Sequence, residues 1–146
     1  AGSVLVNGHG GNAEPVARAV ALLRSEGRNV VAWWPPPLPA PHDAHAGHTE
    51  TSLMLALAPD LVRRDRLEPG ETRPLAELAS SLRAGGLGAV TRNGVLGDPR
   101  AATLEAGIAL LDLLTDDLVT TATKTATAEW HLELQSRPVI PPDPIP

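Results

Sequence analysis

Two groups of residues in this chain have side chains suited to chemistry. The first is the run Asn7-Gly8-His9-Gly10-Gly11-Asn12, a histidine set among glycines between a β-prone stretch and a helical pattern. Glycines let a backbone turn sharply and approach a ligand, and a helix N-terminus behind them offers unpaired N–H groups and the positive end of a dipole. Two readings stand side by side: a phosphate-binding turn, or a turn whose histidine binds metal or takes part in catalysis. The dinucleotide fingerprint G-x-G-x-x-G is not supplied by Gly8, Gly10 and Gly11.

The second group is His42, His45 and His48, with Asp43 and Glu50 alongside. Imidazoles at three-residue spacing, joined by carboxylates, can ligate zinc or iron and move protons. The alternative is a solvated polar loop, the favoured reading for His42 and Asp43. Glu50 is expected in the first turn of a helix, where a carboxylate is electrostatically favoured even without a function. Trp33 and Trp34 are two of only three tryptophans in a chain without Phe or Tyr, and they stand where a strand should end. Such residues serve as core packing or as contacts at the rim of a substrate site. Asp98-Pro99 reads as a helix start, and Trp130 and His131 read as structural. With no Cys and no G-x-S-x-G elbow, the inventory points to metal-assisted hydrolysis and away from a covalent nucleophile.

These residues need a scaffold, and the hydrophobic pattern predicts one. A strand over 3–6, a helix over 13–26 closed by Gly27, and a continuously apolar strand over 29–34 make a βαβ unit. The proline-rich loop over 35–47 would leave the C-terminal edge of the sheet, where ligands bind in open α/β folds. Further helices are expected over 49–58, with Thr49 as N-cap, over 75–83 before Gly85-Gly86, and over 100–118. The last of these continues into a threonine-rich stretch reaching toward His131, while 61–74 is irregular, 88–93 extended and 94–99 a loop. Residues 137–146 hold five prolines and should be a separate tail to a single domain over 1–136. A net charge of −5 with no basic stripe argues against nucleic acid. No apolar run reaches the ~20 residues that span a bilayer, so a soluble, cytoplasmic protein is expected.

Three segments carry a family resemblance: VNGHGGN, HAGHTETSLMLALAPDLV and GVLGDPRAATLEAG, in that order. Together they resemble the creatininase family of amidohydrolases, over nearly everything from Val4 to Leu118. The resemblance implies an α/β fold, a three-layer α/β/α sandwich with a mostly parallel sheet, of which this chain would be the C-terminal portion. It implies two divalent metal ions, zinc with iron or manganese, activating water against an amide carbon. His9 would be a metal ligand, Glu50 would stand at the metals and take part in catalysis, and His45 would assist proton transfer. Trp34 would close over substrate, with His48, Gly10 and Asn12 as further substrate contacts. The branch most resembled matures a modified precursor peptide by removing a C-terminal Val-Tyr dipeptide. Creatinine or a formylamino-pyrimidine is the alternative substrate, and a non-catalytic assembly fragment the alternative role. One departure stands out: creatininase carries a metal-ligating glutamate where this chain has Gly11. The Glu-x-His pair and bridging Asp of the family are expected from an N-terminal segment or chain not represented here. A homo-oligomer is implied as well.

Overall fold

A computed structural model describes residues 2–38 and 43–126. These fall into two compact units, 2–37 with 114–126 in one and 38 with 43–113 in the other. The readings made for His42, Trp130, His131 and the 137–146 tail lie outside the described residues.

The first unit contains the expected βαβ. Strands β1 (Ser3–Val6) and β2 (Val30–Trp33) pair in parallel, with Ser3 opposite Val30 and Val6 opposite Trp33. The connecting helix α1 (Ala13–Ser25) turns Val20 fully inward, and Val4 packs on the buried Val31. Helix α1 stops where Gly27 takes a φ of 76°, a conformation that costs glycine nothing. There the Arg28 amide donates to the Leu23 carbonyl at 3.0 Å and the Gly27 amide to Arg24 at 2.9 Å, the paired bonds of a Schellman cap. The chain is thereby turned directly into β2.

The long helix α4 (Leu104–Ala126) contributes its last turns to this unit. Its threonines are tolerated because two of them face inward, Thr121 and Thr125, and the Thr125 hydroxyl donates to the Thr121 carbonyl at 2.7 Å. The Asn29 side-chain amide donates to the Thr125 carbonyl at 3.3 Å.

In the second unit, α2 (His48–Leu57), α3 (Leu75–Gly85) and the first turns of α4 are joined by short 3-10 turns. Helices α2 and α4 approach backbone to backbone at Gly107. A Cβ there would lie 2.6 Å from the Ser52 carbonyl carbon and 3.0 Å from the Ala56 Cβ. Ser52 is wholly buried, and its hydroxyl accepts the Thr103 amide at 3.2 Å.

Three boundaries differ from the sequence reading. Helix α4 begins at Leu104 and not at 100, because Asp98 caps the separate 3-10 turn Pro99–Ala101, and the Thr103 hydroxyl then accepts the Ala106 amide at 3.0 Å. Helix α2 begins at His48 with Gly47 at the N-cap position, so Thr49 is not the cap but a buried residue of the first turn. The stretch expected to be extended, 88–93, instead begins inside the 3-10 turn Leu87–Ala89, and β-type pairing falls to Leu96, which bridges His45 and Glu71.

Candidate functional site

The His9 loop begins where β1 runs out. The Asn7 amide donates to the Trp33 carbonyl at 3.0 Å, extending the ladder by one residue, after which His9 is extended (φ −126°, ψ 117°) and Gly10–Asn12 closes a 3-10 turn. The carbonyl of His9 accepts twice, from the Asn12 amide at 3.0 Å and from the Asn7 side-chain Nδ2 at 2.9 Å. Asn12 Nδ2 in turn donates to Asn7 Oδ1 at 3.0 Å. Asn7 is buried, whereas His9, Gly10 and Asn12 are exposed. The glycines differ in what they permit. A Cβ on Gly11 would lie 2.6 Å from His9 Nε2, so the imidazole lies over Gly11, while a Cβ on Gly8 or Gly10 would meet nothing within 4 Å.

Because the strands are parallel, the His9 loop and Trp34 leave the same edge of the sheet, the edge at which α/β proteins bind ligands. The two neighbouring tryptophans have separate situations. Trp33 is buried, and its indole N–H donates to Asp117 Oδ1 at 2.6 Å, which meets the demand of a buried donor. Trp34 is half-buried at the strand end.

In the second unit, His45, His48 and Glu50 are built around the N-terminus of α2. His45 is fixed by backbone bonds to Leu96, donating at 3.1 Å and accepting at 2.8 Å. Ala46 then takes a φ of 52°, uncommon for a residue with a Cβ, which turns the chain into the helix. Glu50 Oε2 accepts the Ala46 amide at 2.6 Å and stands 3.4 Å from His45 Nδ1. The pair is open to solvent, 43% exposed at the histidine and 52% at the glutamate. His48 opens α2 and is half-buried.

Asp43 is not the solvated loop residue expected from its surroundings. Its Oδ2 accepts the Thr49 amide in the first turn of α2, and its Oδ1 is buried with no hydrogen-bond partner. Gly47 and Gly97 leave the space that this carboxylate fills; a Cβ on Gly97 would lie 2.6 Å from Oδ1. An Asp a few residues ahead of a Gly-led helix is the signal that could have disclosed this role. Asn7, the buried centre of the His9 loop, has no comparable signal in the sequence.

The two residues read as metal ligands, His9 and Glu50, lie in different units. Among the described residues, no three His, Cys, Asp or Glu side chains gather in a way that could hold a metal ion. A dinuclear centre therefore does not fit the described residues by themselves.

A parallel βαβ unit with polar loops at its C-terminal strand edge places the chain among α/β proteins with ligand-binding strand ends. The family model for creatininase, described as creatinine amidohydrolase, matches residues 2–122, and the chain belongs to the creatininase family. It is 56% identical over 104 residues to the mycofactocin precursor peptide peptidase of Mycolicibacterium smegmatis, covering 71% of this chain and 41% of that one. To the protein of the same name from Mycobacterium tuberculosis it is 49% identical over 116 residues, covering 80% and 45%. The chain thus spans less than half the length of these relatives. Among solved structures, a Bacteroides fragilis protein classed as a creatinine amidohydrolase superposes with a TM-score of 0.64 at 26% identity, covering 85% of this chain and 53% of that one. A tryptophan variant of creatininase superposes with a TM-score of 0.66 at 26% identity, covering 85% and 56%. The α/β creatininase fold expected from the sequence is the fold observed.

Proposed function

We propose that this chain belongs to a metal-dependent hydrolase of amide C–N bonds that removes the C-terminal Val-Tyr dipeptide from the modified mycofactocin precursor peptide. The observation that carries this reading is the His45–Glu50 pair, 3.4 Å apart and open to solvent, within one of the three segments that carry the family resemblance. A carboxylate at Nδ1 holds the imidazole with that nitrogen protonated, which leaves Nε2 to take a proton from the attacking water and deliver it to the leaving amine. Glu50 is itself steadied by the Ala46 amide, so the pair keeps its geometry through the proton's passage.

His9 offers an exposed imidazole as one metal ligand. Two divalent metal ions, zinc with iron or manganese, are the proposed cofactors. Gly10, Asn12 and Trp34 in one unit, and His48 in the other, are each proposed as substrate contacts. The enzyme would act as a homo-oligomer in the cytoplasm.

Incubating the full chain, supplied with zinc or manganese, with the modified precursor peptide and following the product by mass spectrometry tests the reading. The expected product lacks the two C-terminal residues. An unchanged peptide beside steady turnover of creatinine or a formylamino-pyrimidine would replace the peptide reading with the small-amide one. Unchanged amides of every kind would leave only a non-catalytic assembly role.

A further inference from the structure

We infer that Asn7 is a positioning residue for His9, holding the histidine's backbone so that its imidazole is presented from a fixed point at the strand edge. This rests on the reading of His9 as a residue of the site. Asn7 is buried to 7% exposure at the end of β1, and each end of its side-chain amide has a partner in the loop. Nδ2 donates to the His9 carbonyl at 2.9 Å, and Oδ1 accepts from Asn12 Nδ2 at 3.0 Å. With the Asn12 amide donating to the same His9 carbonyl at 3.0 Å, the three residues close a ring of hydrogen bonds around one peptide group. That ring is tied to the sheet by the Asn7 amide on the Trp33 carbonyl.

The loop needs such a tie, because Gly8 and Gly10 flank His9 with backbone that no side chain restrains. Gly11 completes the arrangement from the other side: its missing Cβ leaves the place where His9 Nε2 lies. A side-chain amide is suited to the position because it donates from one end and accepts from the other. Aspartate has nearly the same shape but only acceptors, and it would set a negative charge against the His9 carbonyl.

The test is Asn7→Asp and Asn12→Ala in the full chain, read by the ring cross-peaks of 13C-labelled histidine, with His9 assigned through His9→Ala. Asn7→Asp should shift and broaden the His9 peak while leaving those of His45 and His48 in place. Asn12→Ala should move it in the same direction by less, and decides the matter if Asn7→Asp does not fold. Peptide hydrolysis should fall about tenfold in kcat with KM little changed, as expected when a reacting group is misplaced by a fraction of an ångström. A folded Asn7→Asp chain with an unmoved His9 peak, or a folded Asn12→Ala chain with one where Asn7→Asp fails, would overturn the inference, since an amide that merely fills space is replaced by its isostere without effect. Full activity in His9→Ala would instead refute the role of His9, leaving the spectroscopic result for Asn7 to be judged independently.

Discussion

Replacing Glu50 with Gln separates what this residue does for the fold from what it does for the reaction. Its Oε2 accepts the Ala46 amide at 2.6 Å and faces His45 Nδ1 at 3.4 Å. The Gln side chain keeps an acceptor oxygen for the amide, so the turn into α2 survives. What is lost is the charge beside an imidazole, in a pair about half exposed on both sides. Exposed ion pairs contribute only about 0.2–1 kcal/mol, so the loss of stability is correspondingly small. For a chain of 146 residues, about 1 kcal/mol shifts Tm by roughly 2–4 °C, which sets the upper end of the expected change. The effect on hydrolysis is much larger. General acid–base assistance contributes about 10²- to 10⁴-fold, and removing the group that fixes the tautomer of His45 should cost about 10²-fold in kcat. The assay pairs a calorimetric scan with initial rates on the precursor peptide. Unchanged kcat would refute the acid–base role, and a fall in Tm of more than about 10 °C would show that Glu50 holds up the fold instead.

Gly107→Ala drives a methyl into the backbone of Ser52, so it should destabilise the chain by at least the ~1–3 kcal/mol typical of overpacking, visible as a lower urea midpoint. Asp117→Ala leaves the buried Trp33 indole N–H without its acceptor and should cost about 1–3 kcal/mol, whereas Asp117→Asn keeps an acceptor oxygen and should cost less in the same denaturation experiment. Arg73 holds the Glu71 carboxyl down at about 2, and Arg100 does the same for Asp98, again to about 2. Since folding lowers both values, the stability they contribute is complete above the ordinary carboxylate range and is lost as pH falls through about 2. Arg73→Ala should return Glu71 toward 4.5 in a carbon-detected NMR titration; a midpoint still near 2 would contradict the assignment of cause.

Much of the βαβ unit was legible because its signals are local. The alternation of apolar stretches with α1's three- and four-residue spacing, and Gly27 at the required positive φ, each act within a few residues. The misplaced boundaries have mixed causes: the side chains of Asp98 and Thr103 moved the start of α4, while distant partners decided the pairing of Leu96. Asp43 reaches forward to cap α2 and so displaces Thr49 from that role. Leu96 gains its pairing from His45 and Glu71, which no property of the 94–99 run announces. The threonine run stays helical because the buried faces of Thr121 and Thr125 outweigh their modest propensity. His9, His45 and Glu50 stand out in the sequence by residue type, and the family motifs suggest the roles proposed for them. Asn7 and Asp43 act on the backbone, at the His9 carbonyl and at the first turn of α2. Their importance lies in a buried amide and a buried carboxylate oxygen. The roles of His9 and Glu50 as metal ligands rest on the family resemblance alone, since no three His, Cys, Asp or Glu side chains gather among the described residues.

The central claim is that the His9 loop belongs to the hydrolytic site. Its most direct test is the rate of precursor-peptide cleavage by the full chain carrying His9→Ala, beside the unaltered chain, with circular dichroism showing that both are folded. His9 is exposed and packs into no core, so the substitution should leave the fold intact. Cleavage should fall by about 10²-fold or more, as for loss of a group acting at the reacting centre. Cleavage at the parent rate by folded His9→Ala would contradict the account.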